Sequence, residues 1–210
     1  MSTSATQRSI IIDTDPGQDD AVAILLALAS PELELLGITA VAGNVPLSLT
    51  EKNVRKICEL AGRPDVAVHA GADRPLERDL VTAEYVHGKT GLDGPDLPEP
   101  VMALQPGHGV DFIVETVMER PDGSVTLCAL GPLTNIALAV ALEPHIAENV
   151  REVVLMGGAA NASGNASAVA EANIRNDPEA ARIVFGAPWP VTMVGLDVTR
   201  RTIMSPAYIE

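Results

Sequence analysis

The chain has few cysteines, few aromatic residues and few basic residues for its length. Its 210 residues include 2 cysteines, 2% aromatic residues, and 14 lysines and arginines against 28 aspartates and glutamates. Two cysteines do not form a disulfide framework, and Cys58 and Cys128 lie in apolar stretches typical of buried thiols. The net charge of −14 argues against nucleic acid or an anionic membrane as a partner. The scarcity of aromatic rings leaves few platforms for stacking on bases.

Long hydrophobic runs are also missing. The longest, residues 21–29, is too short to cross a bilayer, and residues 1–8 form a polar lead-in without the apolar region of a secretory signal. We therefore expect no membrane association and a cytoplasmic location. The 47% of hydrophobic residues are enough for the core of one domain spanning residues 1–210.

Short apolar runs typical of strands alternate with helical patterns along the chain. We predict strands at residues 9–12, 35–42, 66–69, 124–130, 152–156 and 191–194. We predict helices at residues 19–30, 50–61, 110–119, 133–142 and 178–185, with Thr50 as an N-cap and Gly62 as a C-terminal stop. The proline-rich stretch 72–107 is predicted to be mostly loop. This order favours an α/β fold with a mostly parallel sheet and helices on both faces.

The last residues resemble the start of another helix. Ser205 is placed as an N-cap and Pro206 as the first helical residue. The sequence ends at Glu210, and an isolated helical turn is not stable. We therefore expect that a C-terminal part of the architecture is missing from this chain.

Four carboxylates lie within eight residues near the N-terminus: Asp13, Asp15, Asp19 and Asp20. They follow a strand of three isoleucines and precede an almost entirely apolar helix, which we expect to be buried. Like charges this close repel, and burial increases the cost, so the cluster predicts a hard cation or a shared proton. Helix capping is an alternative for Asp19 or Asp20. It does not account for Asp15, so we favour a Ca²⁺ or Mg²⁺ site that includes Asp15 and Asp20.

Polar residues follow several other predicted strands, where parallel sheets bind ligands. Asn165, Glu171 and Asn173 lie in one loop and offer the donors and acceptors that suit sugar hydroxyls, although an ordinary polar loop has similar residues. Asn44 follows the second strand, where it could instead serve a left-handed turn. His87 lies in the proline-rich stretch, either on a lid facing a ligand or on the surface.

Other chemistries fit the sequence less well. The pair Asp13 and Asp15 resembles the start of haloacid-dehalogenase-like phosphatases, but those motifs do not continue with Pro-Gly-x-Asp-Asp. Lys89 and Thr90 are not part of a phosphate-binding P-loop, because the required upstream glycine is missing. The Gly-x-Ser-x-Gly motif of serine hydrolases is also absent.

Taken together, these motifs resemble the inosine–uridine-preferring nucleoside hydrolase family. The matching stretches are residues 13–21, 42–44, 86–92, 131–137, 156–158, 164–173 and 195–199. The resemblance implies a Rossmann-like α/β fold, a bound Ca²⁺ and hydrolysis of ribonucleosides to free base and ribose. It also implies a homo-oligomer, either a dimer or a tetramer.

The resemblance further implies a role for each matching residue. Asp15 would be a calcium ligand and the base that takes a proton from metal-bound water, Asp20 would be a bidentate calcium ligand, and the Leu130 backbone carbonyl would be another ligand. The residues expected around the substrate are Asp19, Asn44 and Asn173 at the ribose hydroxyls, Asn165 and Glu171 at the 5′-hydroxyl, Met156 in the sugar pocket, and His87 on the lid over the base.

The family's pattern also includes a His-Asp pair in its C-terminal third, which this sequence does not contain. That aspartate is a calcium ligand and a ribose contact in the family, and the histidine lies beside the leaving base. The resemblance therefore leaves two functions open for this chain. It is a nucleoside hydrolase, or it is a truncated, catalytically impaired homologue that binds calcium or ribose without turnover.

Overall fold

A computed structural model describes residues 7–203 and residue 205. The strands are β1 (Arg8–Thr14), β2 (Leu33–Ala40), β3 (Val68–Ala70), β4 (Val125–Ala129), β5 (Glu152–Met156) and β6 (Val191–Val194). The helices are α1 (Gln18–Ala29), α2 (Leu47–Leu60), α3 (Glu84–His87), α4 (Gly109–Met118), α5 (Thr134–Leu142), α6 (Ile146–Asn149), α7 (Ala172–Asn176), α8 (Pro178–Gly186) and α9 (Leu196–Thr199). The helix predicted from Pro206 lies outside the described residues.

The six strands form one sheet in the order β3-β2-β1-β4-β5-β6, and all of its pairings are parallel. Ile12 of β1 lies opposite Ile38 of β2 on one side and Cys128 of β4 on the other. The order reverses between β1 and β4, and the crevice at the carboxyl ends of these strands is where doubly wound sheets bind ligands. The predicted Rossmann-like, mostly parallel sheet is confirmed.

Helices cover both faces of the sheet, as the apolar strands predict. Ile10 and Ile12 of β1 pack with α1 and α2 in one core cluster. Ile11, which points to the opposite face, packs with α4, α5, α6 and α8 in the other. Successive side chains of β1 point to opposite faces of the sheet, so the strand contributes isoleucines to both core clusters and is packed on both sides.

Helix α1 is less buried than its apolar sequence suggests. Ile24 and Ala27 are buried against the sheet, but Val22 and Leu26 are 46% and 68% exposed. The expectation of a buried helix was wrong because a helix resting on a sheet buries only one stripe of its surface. No helix among the described residues is long and apolar enough to cross a membrane.

Several predicted boundaries also need correction. Helix α2 begins at Leu47 after Pro46, so Thr50 is not its cap; the Thr50 hydroxyl donates to the Leu47 carbonyl inside the helix. Gly62 does end α2, with a φ of 70° that favours glycine. The short helices α3, α6, α7 and α9 were not predicted, because one-turn helices have too few residues to establish a periodic pattern.

The two cysteines form no disulfide with each other. Cys58 is buried in α2, and Cys128 is half-buried in β4. Burial raises the pKa of Cys58 to about 12 and that of Cys128 to about 11. Both are therefore poorly reactive thiols, as the sequence predicts.

A buried aspartate ties α5, α8 and the segment after β3 together. Asp177 is 0% exposed; its Oδ1 accepts from the Ala180 N–H at the start of α8. Its Oδ2 accepts from the Thr134 hydroxyl at 2.7 Å and from the Leu76 N–H at 2.9 Å. One carboxylate thus satisfies donors from three parts of the fold.

We predict that Asp177→Ala lowers the free energy of unfolding by about 3 kcal/mol, because two buried donors and one half-buried donor lose their acceptor. Arg182→Ala, an exposed change on the same helix, should alter stability by less than about 0.5 kcal/mol. Urea unfolding of both variants measures the difference. Equal effects of the two substitutions would contradict the role given to Asp177.

Candidate active site

The candidate site lies where β1, β2 and β4 end. Asp15 follows β1, Asn44 follows β2 and Leu130 follows β4. The Leu130 N–H donates to the Asp13 carbonyl at 2.7 Å, which continues the β1–β4 pairing up to the site. The parallel register therefore brings together residues that are more than a hundred positions apart in the sequence.

Asp15 is almost completely enclosed at this edge and is only 1% exposed. Its Oδ2 accepts from the Asn44 N–H at 2.7 Å, and the Asn44 side-chain amide donates to the Asp15 carbonyl at 3.0 Å. Its Oδ1 is buried and has no hydrogen-bond partner among the described residues. Burial, and then the charge of Asp20, raise the pKa of Asp15 well above its ordinary value.

Two glycines make room for the Asp15 carboxylate. A Cβ on Gly43 would overlap Oδ2 of Asp15, and a Cβ on Gly131 would lie 2.6 Å from Oδ1. Gly43 precedes Asn44 after β2, and Gly131 follows Leu130 after β4. The carboxylate is therefore held between two backbone segments that approach it closely because neither has a side chain.

Asp20 is part of the site and also stabilises the start of α1. Its Oδ1 accepts from the Thr14 hydroxyl at 2.7 Å, and its Oδ2 accepts from the Gly17 N–H at 3.0 Å. Burial, followed by the charge of the exposed Asp19, raises the pKa of Asp20 to about 7. The N-cap of α1 is Gly17, so the alternative that Asp19 or Asp20 is the N-cap was wrong; Asp20 is the third helical residue and bonds back to the Gly17 N–H, while each of its oxygens retains a lone pair for a further partner.

Asp13 is separated from the other three carboxylates. It is 1% exposed, and its Oδ1 accepts from the Thr39 hydroxyl and from the Asn135 amide. The Asn135 side chain in turn accepts from the Ala72 N–H at 2.8 Å. Burial raises the pKa of Asp13 to about 7. This aspartate links β1 to β2 and α5, and it does not line the main cavity described next.

A cavity of about 600 Å³ opens at this edge of the sheet. It is lined by all ten residues predicted for the site: Asp15, Asp19, Asp20, Asn44, His87, Leu130, Met156, Asn165, Glu171 and Asn173. A smaller cavity of about 180 Å³ shares Asp15 and Asn44 with it. The structure therefore brings the predicted residues together around one space, although it does not by itself give each its role.

The contacts of the polar loop residues differ from those expected. Glu171 is only 2% exposed; its Oε2 accepts from the Gly158 N–H and its Oε1 from the Asn173 N–H. The Asn173 amide donates to the Leu130 carbonyl at 2.7 Å and to the Met156 carbonyl at 3.1 Å. Both residues border the cavity while also fixing the backbone around it.

His87 lies over the turn that carries the acidic residues. Its Nδ1 is 2.7 Å from the Gln18 amide oxygen, and a Cβ on Gly17 would overlap its ring. The Gln18 amide nitrogen also contacts the His87 carbonyl at 3.3 Å. Gln18 at the start of α1 thus holds the short helix α3 against the site.

One wall of the cavity was not predicted from the sequence. It is formed by residues at the end of β6 and around α9: Val194, Leu196, Val198, Thr199 and Thr202. Residues 195–199 are among the stretches that resemble the nucleoside hydrolase family, but the resemblance implies no role for them. The wall is largely apolar, and the motif was its only signal in the sequence.

The donors around Asp15 suit a hard cation, but they are few. Asp15, Asp20 and the Leu130 carbonyl present oxygen atoms only, and Asp15 has a buried oxygen without a partner. Within the described residues, no group of three or more His, Cys, Asp or Glu side chains is placed to hold a metal. Calcium takes about six to eight oxygen ligands, so these residues alone would not complete a calcium site.

Comparisons with known proteins agree with the fold and show the family. The family described as inosine-uridine preferring nucleoside hydrolase matches residues 10–210. The inosine-uridine preferring nucleoside hydrolase of Crithidia fasciculata is 47% identical over 204 residues, which cover 97% of this chain and 64% of that protein. The pyrimidine-specific ribonucleoside hydrolase RihA of Klebsiella pneumoniae is 49% identical over 201 residues, covering 96% and 64%.

A solved structure is similar to this chain in fold as well as in sequence. The purine-preferring ribonucleoside hydrolase from Gardnerella vaginalis matches with a TM-score of 0.90 at 38% identity, covering 94% of this chain and 64% of that one. Fold and site define a doubly wound α/β protein with an acidic pocket at the point where the strand order reverses. The chain belongs to the inosine-uridine preferring nucleoside hydrolase family. It spans 64% of the length of each of these three relatives.

We predict that Gly43→Ala abolishes Ca²⁺ binding, because the added methyl group displaces the Asp15 carboxylate. Gly186→Ala is the matched control, since a Cβ there meets no atom within 4 Å. Calorimetric titration with Ca²⁺ compares both variants with the unmodified chain. Unchanged binding by Gly43→Ala would refute the placement of Asp15 in the cation site.

In the presence of a chelator, we predict that stability falls as pH rises from about 4 to about 7. The folded pKa values of Asp13 and Asp20 are raised to about 7 from an ordinary 3.8, and that of Asp15 shifts the same way. The folded chain therefore holds more protons than the unfolded chain in this window, and loses that stabilisation as pH increases. Urea unfolding should give a lower midpoint at about pH 8 than at about pH 5.

Exposed carboxyls with lowered pKa values, such as Glu34 and Asp93, lose their contribution at lower pH and act in the opposite direction. The contribution of these carboxyls is nearly constant above about pH 5. Burial lowers the pKa of His69, so this histidine also acts in the opposite direction, but it is one group against three buried aspartates. A midpoint that is constant or rises between the two pH values would contradict the burial of the acidic residues as described.

Proposed function

We propose that the chain carries the calcium and ribose site of a nucleoside hydrolase that cleaves the N-glycosidic bond of ribonucleosides to free base and ribose. The observation that carries the proposal is the convergence of ten predicted residues on one cavity, beside a buried carboxylate oxygen without a partner. Family membership supports the same activity. The activity is proposed for the whole protein, because the chain spans 64% of its relatives.

Asp15 is the proposed base. The Asn44 N–H holds Oδ2, so Oδ1 is left to take a proton from the attacking water. The high pKa caused by burial and by Asp20 favours the protonated acid in the absence of a cation. A positive charge beside Asp15 reverses this preference and gives the carboxylate that a base requires.

Calcium is the proposed source of that positive charge. Asp15, Asp20 and the Leu130 carbonyl would hold the ion, and when bound it supplies positive charge and coordination for water and sugar hydroxyls. The Thr14 hydroxyl and the Gly17 N–H orient Asp20 for this role. Water and sugar oxygens would provide further ligands.

The carboxylates that line the cavity would also stabilise the transition state of the proposed reaction. Cleavage of a glycosidic bond passes through an oxocarbenium-like sugar, which negative charge stabilises. Asp15, Asp19 and Asp20 line one part of the cavity and Glu171 lines another. Asn44 and Asn173 would bind the ribose hydroxyls, with Asn165 and Glu171 at the 5′-hydroxyl, Met156 against the sugar and His87 near the departing base.

The base preference is left open in this proposal. Similar proteins have names that include pyrimidine-specific, inosine-uridine preferring and purine-preferring hydrolases. The contacts proposed here are to the sugar, which inosine and uridine share. We therefore propose ribonucleosides as the substrate class. The homo-oligomer and the cytoplasmic location expected above stay predictions.

We predict that Asp15→Asn lowers the rate of ribose release from inosine and uridine by about 10²–10⁴-fold, because an amide cannot act as the base. Asp122→Asn, an exposed change in a turn, should have no effect. The assay requires Ca²⁺ and compares the 210-residue chain with a version extended to the length of its relatives. If neither form releases ribose, the proposed activity is wrong.

The binding-only alternative makes a different prediction. A chain that lacks turnover but retains the site binds ribose in calorimetry when Ca²⁺ is present, and Asp15→Asn weakens that binding. Release of ribose by the 210-residue chain excludes this alternative. Binding without release, together with activity of the extended version, supports it for the chain alone.

A further inference from the structure

The loop that carries Asn165 has little apolar anchoring. It runs from Gly157 after β5 to Glu171 before α7; only three of its fifteen residues are buried and seven are exposed, including Val169 at 80%. A segment with few buried contacts opens locally at low cost. Since Asn165 lines the cavity, something other than a hydrophobic core must hold this segment in place.

The base of the loop is closed by Glu171. Its buried carboxylate accepts from the Gly158 N–H at 2.9 Å, which joins the first and last parts of the loop. Within the loop, the Asn165 N–H donates to the Ala170 carbonyl at 3.1 Å, and the Asn165 amide oxygen accepts from the Ala172 N–H at 2.9 Å. These contacts shape the loop but do not tie its outer part, residues 160–164, to the rest of the protein.

The outer part is held by two charged residues at α9. The Asp197 carboxylate accepts from the Ala160 N–H at 2.9 Å and from the Asn161 N–H at 2.8 Å. The Arg200 guanidinium donates to the Ser163 hydroxyl at 2.9 Å and to the Gly164 carbonyl at 2.8 Å. The two side chains make four bonds to the loop, and the last of these is one residue before Asn165.

Helix α9 is itself fixed to the base of the loop. The Leu196 N–H donates to the Gly158 carbonyl at 2.9 Å. A Cβ on Gly195 would lie 2.8 Å from that carbonyl oxygen, so the close approach needs a glycine. Leu196 and Thr199 also line the cavity. The same short helix therefore contacts both the sugar cavity and the loop that borders it.

We propose that Asp197 and Arg200 are positioning residues that clamp the outer loop and so hold Asn165 at the wall of the sugar cavity. Each carries charge-assisted hydrogen bonds, which are stronger than neutral ones. The Arg200 guanidinium reaches two acceptors at once, a geometry that a lysine does not reproduce. The identity of the ligand rests on the proposed function, but the clamp itself does not.

The first test measures the loop directly, in the full chain with Ca²⁺ present. In Asp197→Ala and Arg200→Ala, hydrogen–deuterium exchange at amides 160–164 should become about tenfold faster, while β5 remains unchanged. Arg200→Lys should give an intermediate increase, because one ammonium keeps the charge but loses the double contact. Unchanged exchange in both alanine variants overturns the proposal.

Matched controls separate the clamp from a general loss of stability. Asp122→Ala and Arg182→Ala replace exposed residues that make no side-chain hydrogen bond to the described residues. They should leave loop exchange as it is in the unmodified chain. Equal acceleration in the controls, or acceleration spread over β5 and α5, would show that the effect is global and would overturn the proposal.

The second test asks whether the clamp positions Asn165 for the sugar. Calorimetry compares inosine with 5′-deoxyinosine, which lacks the hydroxyl that Asn165 is proposed to bind, and every variant in this test also carries Asp15→Asn so that neither ligand is hydrolysed during the titration. The ratio of the two affinities should fall about fivefold in Asp197→Ala, because the loss is confined to the 5′-hydroxyl contact. Faster loop exchange with an unchanged ratio overturns the positioning role.

The two tests also distinguish failure of this inference from failure of the proposed function. If the unmodified chain binds neither nucleoside, the proposed ligand is wrong, and the exchange rates still decide whether the clamp exists. If the chain binds inosine and 5′-deoxyinosine equally well, Asn165 does not contact the 5′-hydroxyl. The positioning role of the clamp is then wrong, while the proposed hydrolase activity is unaffected.

Discussion

The site depends on the burial of negative charge without a matching positive charge at the end of β1. Asp15 and Asp20 are both nearly inaccessible to solvent, and each raises the energy of the other as an anion. Backbone N–H groups and one hydroxyl hold these carboxylates in place, but they do not neutralise them. Burying an unpaired anion has a high free-energy cost. The arrangement of Asp15 and Asp20 is therefore favourable only when protons or a cation are bound.

The surroundings of the acidic pair are arranged to preserve this geometry. Gly43 and Gly131 leave room for the Asp15 carboxylate, and Asp13 stays in a separate network with Thr39 and Asn135. The central position of β1 lets both neighbouring strands contribute polar groups to one crevice. Local strain is small here because the described non-glycine residues all have negative φ values.

Much of the fold and all of the proposed site residues could be predicted from the sequence. The strands at 152–156 and 191–194 were predicted to the residue, because a buried strand is a short apolar run with clear ends. The acidic cluster and the polar loop pointed to part of the cavity lining, and the family resemblance supplied the rest, including Leu130 and Met156. The hydrogen bonds of these residues could not be predicted from the sequence. Glu171, for example, caps α7 and also closes the loop by accepting from the Gly158 N–H, and that second contact depends on where Gly158 lies in space.

The remaining errors have physical causes. The exposure of Val22 and Leu26 depends on how α1 rests on the sheet, which composition does not determine. Helix α2 starts at Leu47 because the fixed backbone geometry of Pro46 places this proline at the N-cap. The capping preference of Thr50 indicates a later start, which was wrong. The wall around α9 was missed because apolar residues at a strand end do not indicate a ligand by themselves.

The central position of β1 also has a consequence for how the chain folds. Strand β1 can pair with β2 soon after both are synthesised, but its other edge is covered only by β4, which is more than a hundred residues later. Until then, β1 has an unpaired edge and the acidic turn has no Leu130 or Gly131 beside it. Contacts of such large sequence separation form slowly. The proposed cation site is therefore expected to be among the later features to assemble, after a stage in which one edge of β1 is open to incorrect pairing.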